Sequence, residues 1–247
     1  MVLCASIIMG FRAVKPEEVW TVLQRSHPQL LAGSRACWLY DTKCTLDDVA
    51  SYIAEKEKPH FAVSLSERVL PELSYGHVRN HALSRVEIRG LVASVDDGEE
   101  WVRPFLREGE FRQAWLYDAE YQRFQNAEDP SEYITAGRNC SGLPMKSNGL
   151  PYPLDRQIID TSHNPGRCRL RDGYVEAVGA AVWLGEQFWP LTGASKQAVL
   201  AADWLQCGQP ANGVLRVQAA DAPFTTAEGA SGSWQDRLRS LLFPESH

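Results

Sequence analysis

The chain has 247 residues, a hydrophobic fraction of 44%, a charged fraction of 23% and a formal net charge of −6. This length allows one large domain or two small ones, with a sizeable buried core. The acidic balance argues against general nucleic-acid binding, which needs clustered Lys and Arg. No segment approaches the run of about twenty apolar residues that a bilayer span needs. We therefore expect neither a nucleic-acid partner nor a membrane partner.

The N-terminal segment predicts a buried first strand. Residues 2–11 are mostly apolar, and the first basic residues, Arg12 and Lys15, come after this run. A secretory signal has the opposite order, so the pattern predicts a cytoplasmic location and reduced cysteines. The six cysteines are widely spaced and form no C-x-x-C pair, so no zinc site is expected.

Capping and periodicity predict the elements of the N-terminal half. Pro16 is expected to open a helix, with the two glutamates that follow it at the positive end of the helix dipole. Thr45 and Asp48 form a capping box for a second helix. Charged and apolar residues alternate along residues 85–92, which is typical of an antiparallel or mixed sheet with one wet face. Strands are predicted at residues 36–40, 61–65, 85–92, 111–117 and 121–124.

The C-terminal half contains a long segment without a regular pattern. Residues 137–173 are rich in Gly, Pro, Asn and Ser, which predicts a long irregular loop packed on the sheet. Beyond it we predict a buried strand at residues 175–184, a helix at 196–206, a strand at 213–218 and a terminal helix capped by Ser233 and Asp236. Strands and helices do not alternate strictly, so the fold class is α+β, with a single domain over residues 1–247 and an antiparallel or mixed sheet covered by helices.

Two constellations could carry chemistry. Cys140, Asp160 and His163 lie in the irregular segment together with Cys168, whose two flanking arginines could lower the pKa of its thiol. No rigid element is predicted to hold these side chains together. A small cytoplasmic hydrolase that uses Cys140 or Cys168 with His163 therefore stays an alternative and not the favoured interpretation.

A pair of histidines has a spacing that could suit a metal. His77 and His81 are four residues apart, which would place them on one face of a helix. The intervening residues contain no glutamate, and the neighbourhood predicts a loop, so the zinc-protease pattern is absent. No phosphate loop, dinucleotide fingerprint or nucleophile elbow is present. We expect no metal and no cofactor.

The densest acidic patch is a candidate binding surface. Asp96, Asp97, Glu99 and Glu100 are followed by Trp101, and the pattern predicts an exposed turn. Four carboxylates with an adjacent indole can bind a basic surface on a partner, with Trp101 as the anchor. Such charge complementarity acts mainly on the rate and specificity of association.

The order of the aromatic segments resembles a known family. A Pro/Glu-started helix follows the first strand, His27-Pro28 precedes a strand with Trp38, and a Trp-rich block spans residues 183–189. A helix with Asp203-Trp204 and the strand at residues 213–217 complete the pattern. This order is similar to the immunity protein 52 family of bacterial polymorphic-toxin systems, over residues 7–217.

The resemblance implies a non-enzymatic antitoxin in the cytoplasm of the cell that produces the toxin. Its partner would be a cognate nuclease effector of type VI secretion, bound through a restriction-endonuclease-like domain. An acidic protein can occupy a nuclease surface that is basic where it holds phosphate. An adaptor or chaperone for a secreted effector stays a further alternative.

Overall fold

The computed structural model describes residues 1–40, 42–55, 59–66, 70–107, 111–211 and 213–244. The strands in these ranges are β1 Leu3–Gly10, β2 Ala36–Leu39, β3 Thr42–Thr45, β4 Phe61–Ser64, β5 Glu72–Val78, β6 Leu83–Arg89, β7 Phe111–Asp118, β8 Met145–Ser147, β9 Gln157–Ile159, β10 Arg169–Arg171, β11 Tyr174–Glu176, β12 Ala181–Gly185, β13 Gln206–Ala211 and β14 Val214–Gln218. The α-helices are α1 Pro16–Ser26, α2 Pro28–Leu31, α3 Val49–Glu55, α4 Val95–Val102, α5 Ala119–Asn126, α6 Pro130–Thr135, α7 Phe188–Thr192, α8 Lys196–Leu200 and α9 Gly229–Leu242. Short 3-10 helices span Arg79–His81 and Arg103–Arg107.

One large sheet organises the described part of the chain. It contains ten strands in the order β13-β14-β12-β7-β1-β6-β5-β4-β2-β3. Every neighbouring pair is antiparallel. Two small hairpins, β8–β9 and β10–β11, lie outside it. The prediction of a single α+β domain with an antiparallel or mixed sheet is confirmed.

Helices cover the sheet on both sides of its central strand. All eight residues of β1 are buried, because successive side chains of a strand point to opposite faces. One face packs against α1, α3 and α4 around Ala5, Ile7 and Trp20; we call it the α1 face. The other, the α9 face, packs against α7, α8 and α9 around Ile8 and Trp115.

Most of the apolar pattern forms core. The first strand and the Pro16 helix are where the sequence predicts them. Four of the eight tryptophans are among the largest fully buried side chains: Trp20, Trp101, Trp115 and Trp183. These indoles therefore fill the two sides of the sheet and do not form a recognition surface.

Two predicted strands differ from the structure. Residues 121–124 belong to helix α5 and not to a strand, because Asp118 accepts a hydrogen bond from Tyr121 N at 2.8 Å and caps the helix. The strand predicted at 175–184 is divided into β11 and β12. At the break, a Cβ on Gly179 would lie 2.1 Å from the carbonyl oxygen of Leu116, so only glycine allows this close backbone approach.

The predicted C-terminal elements also shift. Helix α8 ends at Leu200, and residues 206–211 form edge strand β13. Helix α9 begins at Gly229, so Ser233 lies inside it and donates to the Gly229 carbonyl at 3.1 Å. Trp234, the next residue of this helix, is 39% exposed. None of the helices in the described ranges has the length and apolar character needed to cross a membrane.

The segment at residues 137–173, predicted to be an irregular loop packed on the sheet, contains strands β8, β9 and β10 and is fixed to two helices. Asn164 Nδ2 donates to the Gln125 carbonyl at 2.8 Å, and Cys168 N donates to Asn126 Oδ1 at 2.6 Å. From α9, the guanidinium of Arg239 donates to the carbonyls of Pro165, at 3.1 Å, and Arg167. The segment therefore packs against α5 and α9 and is part of the folded domain.

Candidate functional site

The acidic patch lies on helix α4 and not in a turn. Ser94 is the N-cap, and its hydroxyl accepts a hydrogen bond from Asp97 N at 3.1 Å. Asp97 Oδ2 accepts in return from Ala93 N at 2.7 Å, which completes a reciprocal cap. The prediction of a turn at residues 96–98 is therefore wrong. The Ser-x-x-Asp spacing before an apolar stripe was the sequence signal for this helix.

Helix α4 lies unusually close to the sheet. Gly98 faces β7, where a Cβ would lie 2.3 Å from Leu116 Cδ1. Val95 and Val102 pack into the core beside it. Because this side of the helix is buried, the acidic side chains are displayed on its outer side.

The four acids differ in how freely they face solvent. Asp96 is the most exposed, with 93% of its side chain accessible. Glu100 is exposed and lies 3.2 Å from the guanidinium of Arg103, which also pairs with Glu99 at 2.9 Å. Asp97 is occupied by the helix cap. Asp96 and Glu100 are therefore the acids best placed to contact a partner.

Sequence reasoning missed a second arginine beside this surface. Arg216 on β14 lies 3.6 Å from Asp96 and 3.4 Å from Glu99. Its guanidinium carbon is 5.9 Å from the centre of the Trp183 ring. The two segments are more than a hundred residues apart, so no local pattern could reveal the contact. Arg103 and Arg216 together reduce the negative charge of the patch.

Trp101 is a core residue, which corrects its proposed role as an exposed anchor. The indole is 1% exposed and stacks on the imidazole of His27, with ring centres 3.6 Å apart and planes inclined by 15°. Its position on α4 directs it toward the α1 face, opposite to Asp96 and Glu100. In this fold a partner therefore meets carboxylates on α4 but not the indole.

The stacked His27 gives the site a pH dependence. Burial lowers the pKa of this imidazole from the ordinary value of 6.5, against the opposing effect of the nearby Asp97 and Glu100 carboxylates. The folded state then prefers neutral His27, while the unfolded chain takes up a proton as the pH falls through about 6.5. Stability contributed by this group is therefore present above that pH and is lost below it.

Because of His27, we expect the free energy of unfolding to fall as the pH is lowered from about 7 to about 5. Ordinary carboxyl groups titrate below this range, so they contribute little to the change. Urea unfolding at both pH values measures the loss. His27→Phe keeps an aromatic ring on Trp101 but cannot titrate, so the loss should be smaller in that variant. An equal loss in His27→Phe and the parent protein would contradict the assignment to His27.

The cysteine constellations are not assembled as nucleophile–base pairs in the described residues. Cys140 packs beside the small cluster of Phe124 and Tyr133, and His163 is exposed. Asp160 accepts from Ser162 N at 3.0 Å and pairs with Lys146 at 3.4 Å, so it does not orient His163. The contact with Ser162 makes the largest contribution to lowering the pKa of Asp160, and the contact with Lys146 lowers it further.

The thiol of Cys168 is not activated as its flanking arginines could have made it. Burial raises the pKa of its thiol to about 11, although the guanidinium groups of Arg85 and Arg239 act in the opposite direction. The flanking arginines therefore do not bring the pKa of this thiol below its ordinary value. A buried, protonated thiol is a poor nucleophile at neutral pH.

The two histidines at positions 77 and 81 lie on different elements. His77 is in β5, and His81 is in the 3-10 turn that follows. The Nδ1 atom of His77 lies 3.0 Å from Ser84 Oγ. Across the described ranges, no group of three or more His, Cys, Asp or Glu side chains is placed to hold a metal ion.

Comparison with known proteins gives a likeness in fold only. No protein-family model matches the chain, and no curated protein matches it. Among solved structures, the fold is similar to that of the Pseudomonas aeruginosa type VI secretion system (T6SS) protein PA0821, with a TM-score of 0.53 and 12% sequence identity. The match covers 98% of this chain and 73% of that one. The resemblance to the immunity protein 52 family stays a prediction.

Proposed function

We propose that this protein is a non-enzymatic immunity protein, which binds and neutralises a nuclease effector of type VI secretion in the cytoplasm of the producing cell. The observation that carries the proposal is the fold match to a T6SS protein over 98% of this chain. The order of aromatic segments in the sequence supports the same family of functions.

The charge of helix α4 supports a basic partner. Asp96 and Glu100 project from a helix whose other side is fixed in the core, so they meet a partner with little loss of backbone freedom. A nuclease surface that holds phosphate is basic, and opposite charge accelerates association. The proposal therefore places the effector against the outer side of α4.

A titration with purified proteins tests this function. The probe is the product of the gene next to the one that encodes this chain, taken as the candidate nuclease and assayed for cleavage of plasmid DNA. Increasing amounts of this protein should suppress cleavage and reach completion near one equivalent. Cleavage that continues at full rate with a large excess would overturn the proposal. Stable binding without suppression would favour an adaptor or chaperone.

Reversing the two outer acids should slow association with that nuclease. Asp96→Lys/Glu100→Lys changes the formal net charge from −6 to −2, and the association rate at low salt should fall by about tenfold. Stopped-flow mixing measures this rate. The matched control is Asp155→Lys/Asp203→Lys, which makes the same charge change at exposed positions away from α4. Equal slowing in both variants would show that only net charge matters and would reject the α4 surface.

A triple substitution separates the antitoxin from the hydrolase. Cys140→Ala/Cys168→Ala/His163→Ala should retain full inhibition of the nuclease, because the proposed mechanism is occlusion and uses none of these groups. Circular dichroism establishes that the variant is folded before inhibition is measured. A folded triple variant that no longer inhibits would support catalysis by these residues.

A further inference from the structure

The α9 face of the sheet is covered over only part of its width. The buried cluster on this face takes side chains from β1, β6, β7, β12 and β14, and from the described residues of β2 to β5 it is reached by Val78 at the end of β5. On this face, the middle of β4 and β5 carries small, half-buried residues (Ala62, Ser64, Ser74 and Gly76), with Glu72 and Val78 at the two ends of β5. This part of the sheet forms the floor of an open groove.

Two adjoining depressions make up the groove. One, of about 580 Å³, extends toward His60 and Arg79, and the other, of about 280 Å³, extends toward Arg123. Both are lined by Ser74, Arg85 and Glu87, so these residues lie at the centre. The groove is on the opposite side of the sheet from helix α4 and is a separate surface.

Arg85 is held at the centre of the groove from behind. Its Nε donates to Ser6 Oγ at 2.9 Å and pairs with Glu87, and its guanidinium carbon lies 5.4 Å from the centre of the Trp115 ring. Glu87 is fixed in turn by the Tyr117 hydroxyl, which donates to it at 2.5 Å. Within the described residues, no hydrogen bond involves the two terminal nitrogens of Arg85. A fixed guanidinium whose two terminal nitrogens are free to donate is suited to bidentate contact with a carboxylate.

The groove is positive although the chain is acidic. Four arginines line it (Arg79, Arg85, Arg89 and Arg123) against two glutamates (Glu72 and Glu87), whereas the whole chain carries −6; of the four, Arg123 is paired with Glu132 at 3.1 Å. Arg79 is exposed and forms no ion pair with a described residue, and Arg89 lies 3.7 Å from Glu72. The exposed positive charge therefore extends from Arg85 toward Arg79.

We propose that this groove binds an extended, carboxylate-bearing segment of a partner protein, with Arg85 as its bidentate anchor and Arg79 as a second contact. The small side chains of the floor let a main chain approach the sheet closely. Glu72 and Glu87 disfavour a continuous polyanion such as a nucleic-acid backbone, since each repels phosphate, but they leave room for separate carboxylates. The inference concerns a second surface and does not depend on neutralisation of a nuclease.

An NMR titration with a model ligand tests the groove. The probe is an acetylated, amidated hexapeptide of alternating glutamate and serine, which presents separate carboxylates and is added to the ¹⁵N-labelled full chain at low salt. Shifts should concentrate in β4, β5 and β6, and Arg85→Gln should weaken binding by about tenfold, as expected for loss of a charged hydrogen-bond pair. Arg25→Gln, an exposed position on α1, should bind as the parent protein does.

Two further variants keep the test decisive. Arg85→Lys retains the charge but not the paired N–H donors of the guanidinium, so it should also weaken binding. Arg79→Glu changes an exposed residue and should weaken binding even if the Arg85 variants do not fold. Unchanged affinity in Arg79→Glu, or equal affinity in folded Arg85→Gln and parent protein, would overturn the proposal. Stronger shifts with inorganic phosphate or a twelve-residue oligothymidylate would reassign the groove to phosphate ligands and overturn it too.

Discussion

Replacement of Trp101 by alanine should lower the free energy of unfolding by about 3–5 kcal/mol, the usual cost of removing a large buried aromatic side chain. The indole is 1% exposed and fills the space between α4, α1 and the sheet, with His27 stacked on one face. Its loss leaves a cavity. Helix α4 cannot move in to fill this cavity, because Gly98 is already in close contact with Leu116. Urea unfolding followed by far-UV circular dichroism measures the change.

The neighbouring residue provides a control for this prediction. Glu100→Ala removes an exposed side chain from the same helix and should change stability by less than about 0.5 kcal/mol. If Trp101→Ala kept the parent's stability but no longer bound the nuclease, the indole would be a surface anchor and the packing of α4 described above would be wrong.

Replacement of Arg239 by methionine should lower the free energy of unfolding by about 3 kcal/mol. Methionine fills a similar volume but leaves the buried carbonyls of Pro165, Arg167 and Glu176 without the donor that Arg239 provides, at about 1–3 kcal/mol for each unsatisfied group. Relief of the buried charge offsets part of this cost, since burial already lowers the pKa of Arg239 to about 10. The measurement is again urea unfolding.

Proteolysis reports where Arg239→Met acts. Residues 137–173 should become sensitive to limited proteolysis in the variant, because Arg239 joins this segment to α9. Arg237→Met is the matched control: Arg237 lies on the same helix, is exposed and stacks on Trp204 at 4.3 Å. If both variants were cut at the same rate, the segment would be held by other contacts.

Much of the fold follows from local pattern. The alternation along residues 85–92, the apolar first strand and Pro16 are short-range signals, and the structure places strands and a helix there. The exceptions have local causes as well. Asp118 caps α5 and ends β7, so a stretch of β-prone aromatic residues becomes helical. Gly179 interrupts an apolar run because another backbone lies against it.

The surface could be predicted only in part. The acidic residues of α4 are exposed, as their composition indicates, but Trp101 is not. The direction in which Trp101 points depends on whether residues 95–102 form a turn or a helix. Arg216 reaches the patch from β14, and Arg85 is fixed by Ser6 and Trp115 from two other strands. Such contacts depend on strand order and register, which single-sequence periodicity does not contain.

Survival of a bacterial host is the direct readout of an immunity function. The adjacent gene, which would encode the candidate nuclease, is induced in cells that also express this chain, and colony counts are compared with those of cells expressing the adjacent gene alone. We expect near-complete survival and intact chromosomal DNA with the parent chain, and both proteins should purify together through a tag on either one. Equal killing and equal DNA degradation with and without well-expressed, folded protein would contradict an immunity function.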